Sequence, residues 1–337
     1  MGHGIEERIA TRQERVHILT GAVCNNNCIF CMEEDRETRY EVNSQTTDAS
    51  VAMILERAAM TEEICFTSGE PTTNPRLAHW ANMAKRAGVP RVSVMTNGRA
   101  LSHRPSLHRL IAAGMNRFYV SIHGHEESLH RSLVRTPEAF EQTVEGIRNI
   151  TKEKRRGIEL HTSTVITKRN LPHLTEIYRF LRELGVDQVV FNVMQANGRA
   201  DTHFEKIFPS YTEIASAARV FFEAQYQLEA QVSAFLVDIP LCTTEGIPDF
   251  NRGYVESYTH YEPPNEATRL LGLGDERMTG EGKHKLVVVK REDLDLMERE
   301  KRAECATCRY EPSCEGVWKN YLSRCGWDEM QPIVATS

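Results

Sequence analysis

Three cysteines fall within eight residues near the start of the chain, Cys24, Cys28 and Cys31 in "GAVCNNNCIFCMEED". Three is one too many for a disulfide and one too few for a closed tetrahedral metal site. Three thiolates can instead hold three irons of a four-iron cube and leave the fourth iron open to chelate a small molecule through an amine and a carboxylate. Asn25, Asn26 and Asn27 suit the turns such a loop needs and can donate hydrogen bonds towards cluster sulfurs. A zinc loop completed by a distant His or Cys, or reactive surface thiols, also satisfies the spacing. Near the other end stand Cys305, Cys308 and Cys314, with Cys242 and Cys325 as outlying thiols. Cys65, inside an apolar run, reads as a small core residue.

The thiols need a compartment. The first 15 residues are charged and lack the apolar core of a secretory signal, and no apolar run reaches membrane-spanning length. A cytoplasmic protein is expected, in which nine cysteines mean metal or redox chemistry rather than a disulfide framework. The net charge of −6 is interleaved, with no basic stripe for duplex nucleic acid. The run "KEKRRG" at 152–157 reads as a solvated helix end.

Elements that could position these groups alternate along most of the chain. "VHILT" (16–20), "EICFTS" (63–68), "RVSVMT" (91–96), "RFYVSI" (117–122), "LHTSTVI" (160–166) and "VVFNVM" (189–194) read as strands. Amphipathic helical patterns lie between them, such as "LPHLTEIYRFLRELG", with Gly185 as a stop. Six βα units predict an α/β fold, a partial (β/α)6 barrel of TIM type, since no glycine-rich dinucleotide turn is present. The expected division is an N-terminal extension at 1–15, the barrel at 16–240 and a small cysteine-rich domain at 241–337. A barrel starting by residue 16 leaves no room for an N-terminal peptide-recognition domain. The Gly- and Pro-rich stretch 251–284 reads as an irregular excursion long enough to cover the barrel rim and act as a specificity element, and "KLVVVK" after it reads as a strand.

In sequence order these features resemble the radical S-adenosylmethionine (SAM) superfamily. The C-x3-C-x2-C loop with Phe30 before its last cysteine matches that family's cluster motif, and "TSGEPTTNP" resembles its G-G-E-P turn, with Ser68 where glycine is commoner. The resemblance makes Cys24, Cys28 and Cys31 the ligands of a SAM-binding [4Fe–4S] cluster. It lines the SAM site with Phe30, Ser68, Gly69, Glu70, Pro71, Thr96, Asn97, Ser121, His123, Arg135, Asn170, Ala196 and Gly198. Taken singly, the Ser-Gly-Glu-Pro turn, His123 and Arg135 could equally be structural.

Cys305-x2-Cys308-x5-Cys314 resembles the SPASM and twitch extensions of that superfamily, which bind auxiliary [4Fe–4S] clusters. Five cysteines here are too few for two clusters, and Trp318 stands where a further cysteine is expected, so the resemblance implies one auxiliary cluster. Its fourth ligand is Cys242, with Cys325 as the alternative; structural zinc at these thiols is the competing reading.

The implied activity is reductive cleavage of SAM to a 5′-deoxyadenosyl radical, which abstracts hydrogen from a substrate. The auxiliary cluster would carry electrons or bind substrate, and a flavodoxin or ferredoxin would donate the electron. Modification of a ribosomal peptide is placed ahead of oxidation or rearrangement of a small alcohol, sugar or nucleotide. A zinc-binding scaffold is the reading from another class, while a zinc barrel hydrolase lacks its H-x-H pair.

Overall fold

A computed structural model describes residues 13–32, 46–57, 61–228, 232–247 and 298–334, with the strand backbones at 251–253, 256–262, 277–278 and 285–290. Seven parallel strands run in sequence order: β1 (Gln13–Leu19), β2 (Glu63–Thr67), β3 (Arg91–Thr96), β4 (Arg117–Ser121), β5 (Glu159–Ile166), β6 (Gln188–Val193) and β7 (Ser233–Val237). The first six are those the apolar runs predict. The short "SAFLV" of β7 gave no separate signal in the sequence.

Helices α1 (Asp48–Arg57), α2 (Leu77–Arg86), α3 (Arg104–Ala113), α4 (Glu127–Val134), α5 (Ala139–Glu153), α6 (Leu174–Glu183) and α7 (Tyr211–Tyr226) lie in the connections. In α6 the buried positions are Leu174, Ile177, Tyr178 and Leu181, the helical spacing that puts one apolar stripe on a sheet. Alternation does the same for strands. In β5, Leu160, Thr162, Thr164 and Ile166 are buried, while Glu159, His161, Ser163 and Val165 are partly open.

The strand pairings set Arg15 beside Glu63 and Arg117 beside Glu159, all near the strand starts. There Glu63 accepts from Ser93 Oγ (2.5 Å), Arg117 Nη1 (2.7 Å) and Tyr119 Oη (3.1 Å), and pairs with Arg15 Nε (3.2 Å). This buried polar network fills the barrel end away from the cysteine loop, opposite the C-terminal strand ends. Cys65 is buried in β2, as its place in an apolar run suggests, and forms no disulfide.

The stretch 251–284 differs from the irregular excursion the sequence suggests. β8 (Asn251–Gly253) pairs in parallel with β7, and β9 (Glu256–Glu262) pairs in parallel with β1. Gly253 and Glu256 are three residues apart, a reach of at most about 11 Å. The two edges of the seven-stranded sheet must therefore approach each other: the sheet curls into a barrel, with β8 and β9 on either side of the remaining gap. β10 (Arg277–Met278) and β11 (Lys285–Lys290) extend the sheet antiparallel beyond β9, and β11 is the "KLVVVK" strand. The composition hid these strands because Gly, Pro and Tyr among them break any apolar period. The remainder of the proposed specificity element, 254–255, 263–276 and 279–284, lies outside the described residues.

The C-terminal segment carries a two-stranded ribbon, β12 (Arg299–Glu300) and β13 (Val317–Trp318), and helix α8 (Lys319–Cys325). It shares the barrel's core. Tyr321 is buried against Tyr211 (ring centroids 4.1 Å), Phe208 (5.3 Å) and Phe204 (6.1 Å).

Candidate functional site

The three-cysteine loop leaves β1 at the rim where β2, β3, β4 and β6 also end. Gly69, just past β2, makes this possible. Its φ is +56°, and a Cβ there would stand 2.2 Å from Gly21 O and 2.7 Å from Val23 O, so only glycine lets the two turns pass. Ser68 before it also has a left-handed φ of 72°, which explains why glycine is the commoner residue at that place. Glu70 N–H then donates to Val23 O (2.8 Å), pinning the turn to the cysteine loop.

Glu70 is 2% exposed, and its carboxylate is spent inside the protein. It accepts from Thr72 N (3.0 Å), Thr72 Oγ1 (2.5 Å), Thr96 Oγ1 (2.6 Å) and Asn97 N (2.6 Å). Burial pushes this carboxyl up, against the pull of those donors. Glu70 thus fastens the ends of β2 and β3 together and shapes the backbone that faces the opening. Pro71 begins the short turn 71–73 behind it and is buried.

Asn97 Nδ2 donates to Asn25 Oδ1 (2.6 Å), tying β3 to the loop. Phe30 meets His123 edge-on, with ring centroids 4.6 Å apart. His123 lies over His130 (5.8 Å, nearly parallel). Its Nδ1 accepts from Val165 N (3.2 Å), and its own N–H donates to His130 Nδ1 (3.2 Å). Both rings are held neutral: burial and then the His130 ring push His123 well below the usual imidazole range, and burial alone brings His130 to about 4. Ser121 is half-buried at the end of β4, and Arg135 is exposed at the αL C-cap of α4. Asn170 is fully buried with its amide saturated: Oδ1 accepts from Thr167 N (2.7 Å) and Thr167 Oγ1 (3.0 Å), and Nδ2 donates to His123 O (3.1 Å) and Val165 O (2.9 Å). Its side chain has no donor left for a ligand, so Asn170 supports the rim by joining the ends of β4 and β5.

Two arginines that the motif reading missed grip the loop. Arg99 Nη1 donates to Asn25 O and to Asn26 Oδ1 (3.1 Å). Arg199 Nη1 donates to Asn27 Oδ1 and to Cys28 O (3.3 Å), and Arg199 N–H donates to Cys31 O (2.9 Å). The signal was present: each arginine follows Asn-Gly, at 97–99 and 197–199, just after a strand. Loop amides of Asn27 and Ile29 donate to the last carbonyls of α4, Val134 O (3.1 Å) and Leu133 O (3.0 Å). Ala196 and Gly198 stand in the second turn.

Within the loop, Asn26 N–H donates to Cys24 Sγ (3.4 Å). Burial, then Cys24 and Cys31, push the Cys28 thiol up, against a smaller opposing pull from the Arg199 guanidinium.

The second thiol group is differently built. Cys242, Cys305, Cys308 and Cys314 line one cavity, with Tyr310, Trp327 and Met330 among its other walls. Burial, then Cys314, Cys308 and Cys305, push the Cys242 thiol up to about 12. Ile333 N–H donates to Cys308 Sγ (3.4 Å), and the amides of Gly316 and Leu241 hydrogen-bond the Cys314 sulfur. Cys325 is exposed at the end of α8, near Tyr321, Glu329 and Arg324, and does not line this cavity. Trp318, at the position of the missing cysteine, stacks under Arg299 (3.7 Å). Arg299 in turn joins Asp238 Oδ1 (2.7 Å), just past β7, to Glu315 Oε2 (3.1 Å).

Among the described residues no three Cys, His, Asp or Glu side chains meet tightly enough to hold one metal ion, and no helix is long and apolar enough to cross a membrane. The donor sets suit iron–sulfur cubes: soft thiols with amide N–H groups aimed at sulfur, three at one site and four at the other.

Comparison with known proteins agrees with this geometry. Residues 18–181 match the profile of the Radical SAM superfamily. The AdoMet-dependent heme synthase of Methanosarcina barkeri is 31% identical over 63% of this chain and 59% of its own length. A probable GTP 3′,8-cyclase of Sulfurisphaera tokodaii is 28% identical over 59% of this chain and 62% of its own. The chain thus spans about six-tenths of the length of these curated relatives. Among solved structures, Streptococcus suis SuiB bound to its precursor peptide SuiA aligns over 95% of this chain and 76% of its own, with TM-score 0.65 and 15% identity. AnSMEcpe with bound AdoMet and a peptide aligns over 94% and 95%, with TM-score 0.58 and 13% identity. The profile match runs from the end of β1 into α6, so residues 18–181, the part of the barrel that clasps the cysteine loop, carry the radical SAM pattern.

Proposed function

We propose that this chain cleaves SAM reductively at a [4Fe–4S] cluster held by Cys24, Cys28 and Cys31, and uses an auxiliary [4Fe–4S] cluster held by Cys242, Cys305, Cys308 and Cys314. The observation that carries the reading is the contrast in ligand number at two gathered thiol sites, three on the barrel rim and four around the C-terminal cavity. When bound, cluster and SAM supply a 5′-deoxyadenosyl radical able to take hydrogen from an unactivated carbon. The chain's own residues position and shield. Glu70 and Gly69 set the backbone edge that faces a SAM amino group, and Phe30 against His123 makes a wall that offers no acidic proton, since His123 is held neutral. The buried polar network built on Glu63 fills the far end of the barrel.

The substrate we favour is a peptide, because SuiB and anSMEcpe, each solved with a peptide, align over more than nine-tenths of this chain. A small molecule is the second reading, favoured by the names of the more similar relatives, heme synthase and GTP cyclase. A flavodoxin or ferredoxin in the cytoplasm would donate the electron.

The test is anaerobic purification followed by reduction in the presence of SAM. About eight irons per chain and formation of 5′-deoxyadenosine support the reading; a colourless protein with stoichiometric zinc overturns it. Peptide libraries and metabolite pools, scored for deuterium transfer into 5′-deoxyadenosine, then separate the two substrate classes.

A further inference from the structure

The two Asn-Gly-Arg turns hold the cysteine loop from opposite sides, but they are anchored in different places. Arg99 is braced within the barrel, its Nε donating to Gln142 Oε1 on α5 (2.7 Å). The turn bearing Arg199 is braced by the C-terminal helix α8. Asn320 Nδ2 donates to Ala196 O (2.8 Å) and to Asn197 Oδ1 (2.7 Å), and Arg324 pairs with Asp201 Oδ1 (2.6 Å) while lying over the Phe204 ring (4.8 Å). Helix α8 follows directly on β13, whose Trp318 stacks on Arg299, and it packs through Tyr321 into the barrel core. A continuous series of hydrogen bonds therefore runs from the helix beside the four-cysteine cavity, through 196–201, to the backbone of Cys28 and Cys31.

We propose that the Asn197-Gly198-Arg199 turn couples the C-terminal unit to the three-cysteine loop, with Arg199 as a positioning residue and Asn320 as its anchor. The reading rests on the assignment of Cys24, Cys28 and Cys31 to the SAM cluster only for its electronic consequence; the mechanical coupling belongs to the chain itself. Arg199 has two effects. It fixes the spacing of two ligand cysteines through their carbonyls, and its guanidinium places a positive charge beside Cys28, which favours the more negative, reduced state of whatever cluster the loop holds. Arg99 touches only the asparagine part of the loop and is tied to the barrel, so it does not sense α8.

Amide hydrogen exchange on the full chain, purified anaerobically, reads the coupling without turnover. Arg199→Gln is expected to speed exchange of amides in 24–31 by about fivefold or more, the loss of roughly one hydrogen bond's net worth. Arg199→Lys, which keeps the charge, is expected to recover part of this. Asn320→Ala is expected to speed the same amides by about twofold while leaving those of 305–314 at the parent rate. In reconstituted protein, Arg199→Gln should also lower the fraction of SAM cluster reduced at a fixed potential, read from the EPR signal that changes on adding SAM, and Arg199→Lys should restore that fraction. Loop exchange at the parent rate in Arg199→Gln overturns the proposal. So does an Asn320→Ala effect confined to 319–325. If Arg199→Gln does not fold, the Lys and Asn320 variants carry the test. A parent chain that binds no SAM cluster defeats the functional reading and leaves the exchange results standing.

Discussion

The two thiol sites differ in what encloses them. At the barrel rim, three cysteines sit on a loop that groups from elsewhere hold from outside: the side chains of Arg99, Arg199 and Asn97 and the backbone of Glu70. In the C-terminal segment, four cysteines face inward on a cavity, and amides of the same segment point at their sulfurs. In the proposed function, a site held from outside keeps one side of its cluster for a ligand, a site lined by four thiols closes on its cluster, and the difference separates a reacting centre from an electron-carrying one.

The hardest test of this contrast removes one sulfur from each site. Cys28→Ser should abolish SAM cleavage and leave about four irons per chain, with the remaining cluster insensitive to SAM. Cys242→Ser should instead keep SAM cleavage, measured as 5′-deoxyadenosine formed without substrate, while the auxiliary cluster is lost or becomes labile. Cys325→Ser should keep both clusters. Iron analysis with EPR on the three variants is sufficient. If Cys325→Ser lost iron and Cys242→Ser did not, the closed site would be wrongly assembled.

A second difference is electrostatic. The rim is backed by neutral imidazoles, and the C-terminal site has no buried histidine among the described residues. His130, at about 4 in the fold against about 6.5 in the unfolded chain, is uncharged when folded. Between these values the unfolded state binds the additional proton, so stability is complete above about 6.5 and falls as pH drops towards 4. The loss from this one ring is about 2 kcal/mol between pH 7 and pH 5. Urea unfolding at the two pH values should show it, and His130→Asn, whose Oδ1 can still accept from His123 N–H, should flatten the slope by that amount. An unchanged slope would mean His130 is charged in the fold.

How much of this was legible beforehand depended on whether the signal was local. The β-branched runs gave six strands, five of them within one residue at each end and the first starting three residues late, because alternation and turn residues are properties of short windows. Cys242 was separable from Cys325 only by resemblance; the cavity distinguishes them by position, since the chain brings Leu241 N–H to Cys314 from 73 residues away. Arg99 and Arg199 were visible as letters, yet nothing in the sequence says that two turns a hundred residues apart reach the same loop. Asn170 shows the converse. Its strand-end placement suggested a ligand contact, but saturation of its amide is a tertiary fact. Glu63 and Arg117 open two apolar strands and look like solvated ends, whereas closure of the barrel buries both.

Two non-glycine residues with left-handed backbones sharpen the comparison at smaller energies. Ser68 (φ 72°) belongs to the rim and Asp238 (φ 65°) to the junction with the C-terminal unit. Strain alone makes the same prediction for both: glycine should relieve about 1 kcal/mol or more, less the additional entropy of the unfolded chain. The surroundings decide otherwise. Asp238 pairs with Arg299, which is 2% exposed, so Asp238→Gly removes one of two carboxylates from a buried guanidinium and should destabilise by about 2 kcal/mol in spite of the relief. At Ser68 the turn is held through backbone, where Ser68 O accepts from Thr20 Oγ1 (3.4 Å) and Gly69 follows. Ser68→Gly should therefore gain about 0.5 kcal/mol and leave SAM affinity unchanged. Denaturant midpoints of the two variants give opposite signs if strain is tolerated at the rim and used at the junction; equal signs would make backbone conformation, rather than partnership with Arg299, the governing factor at both sites.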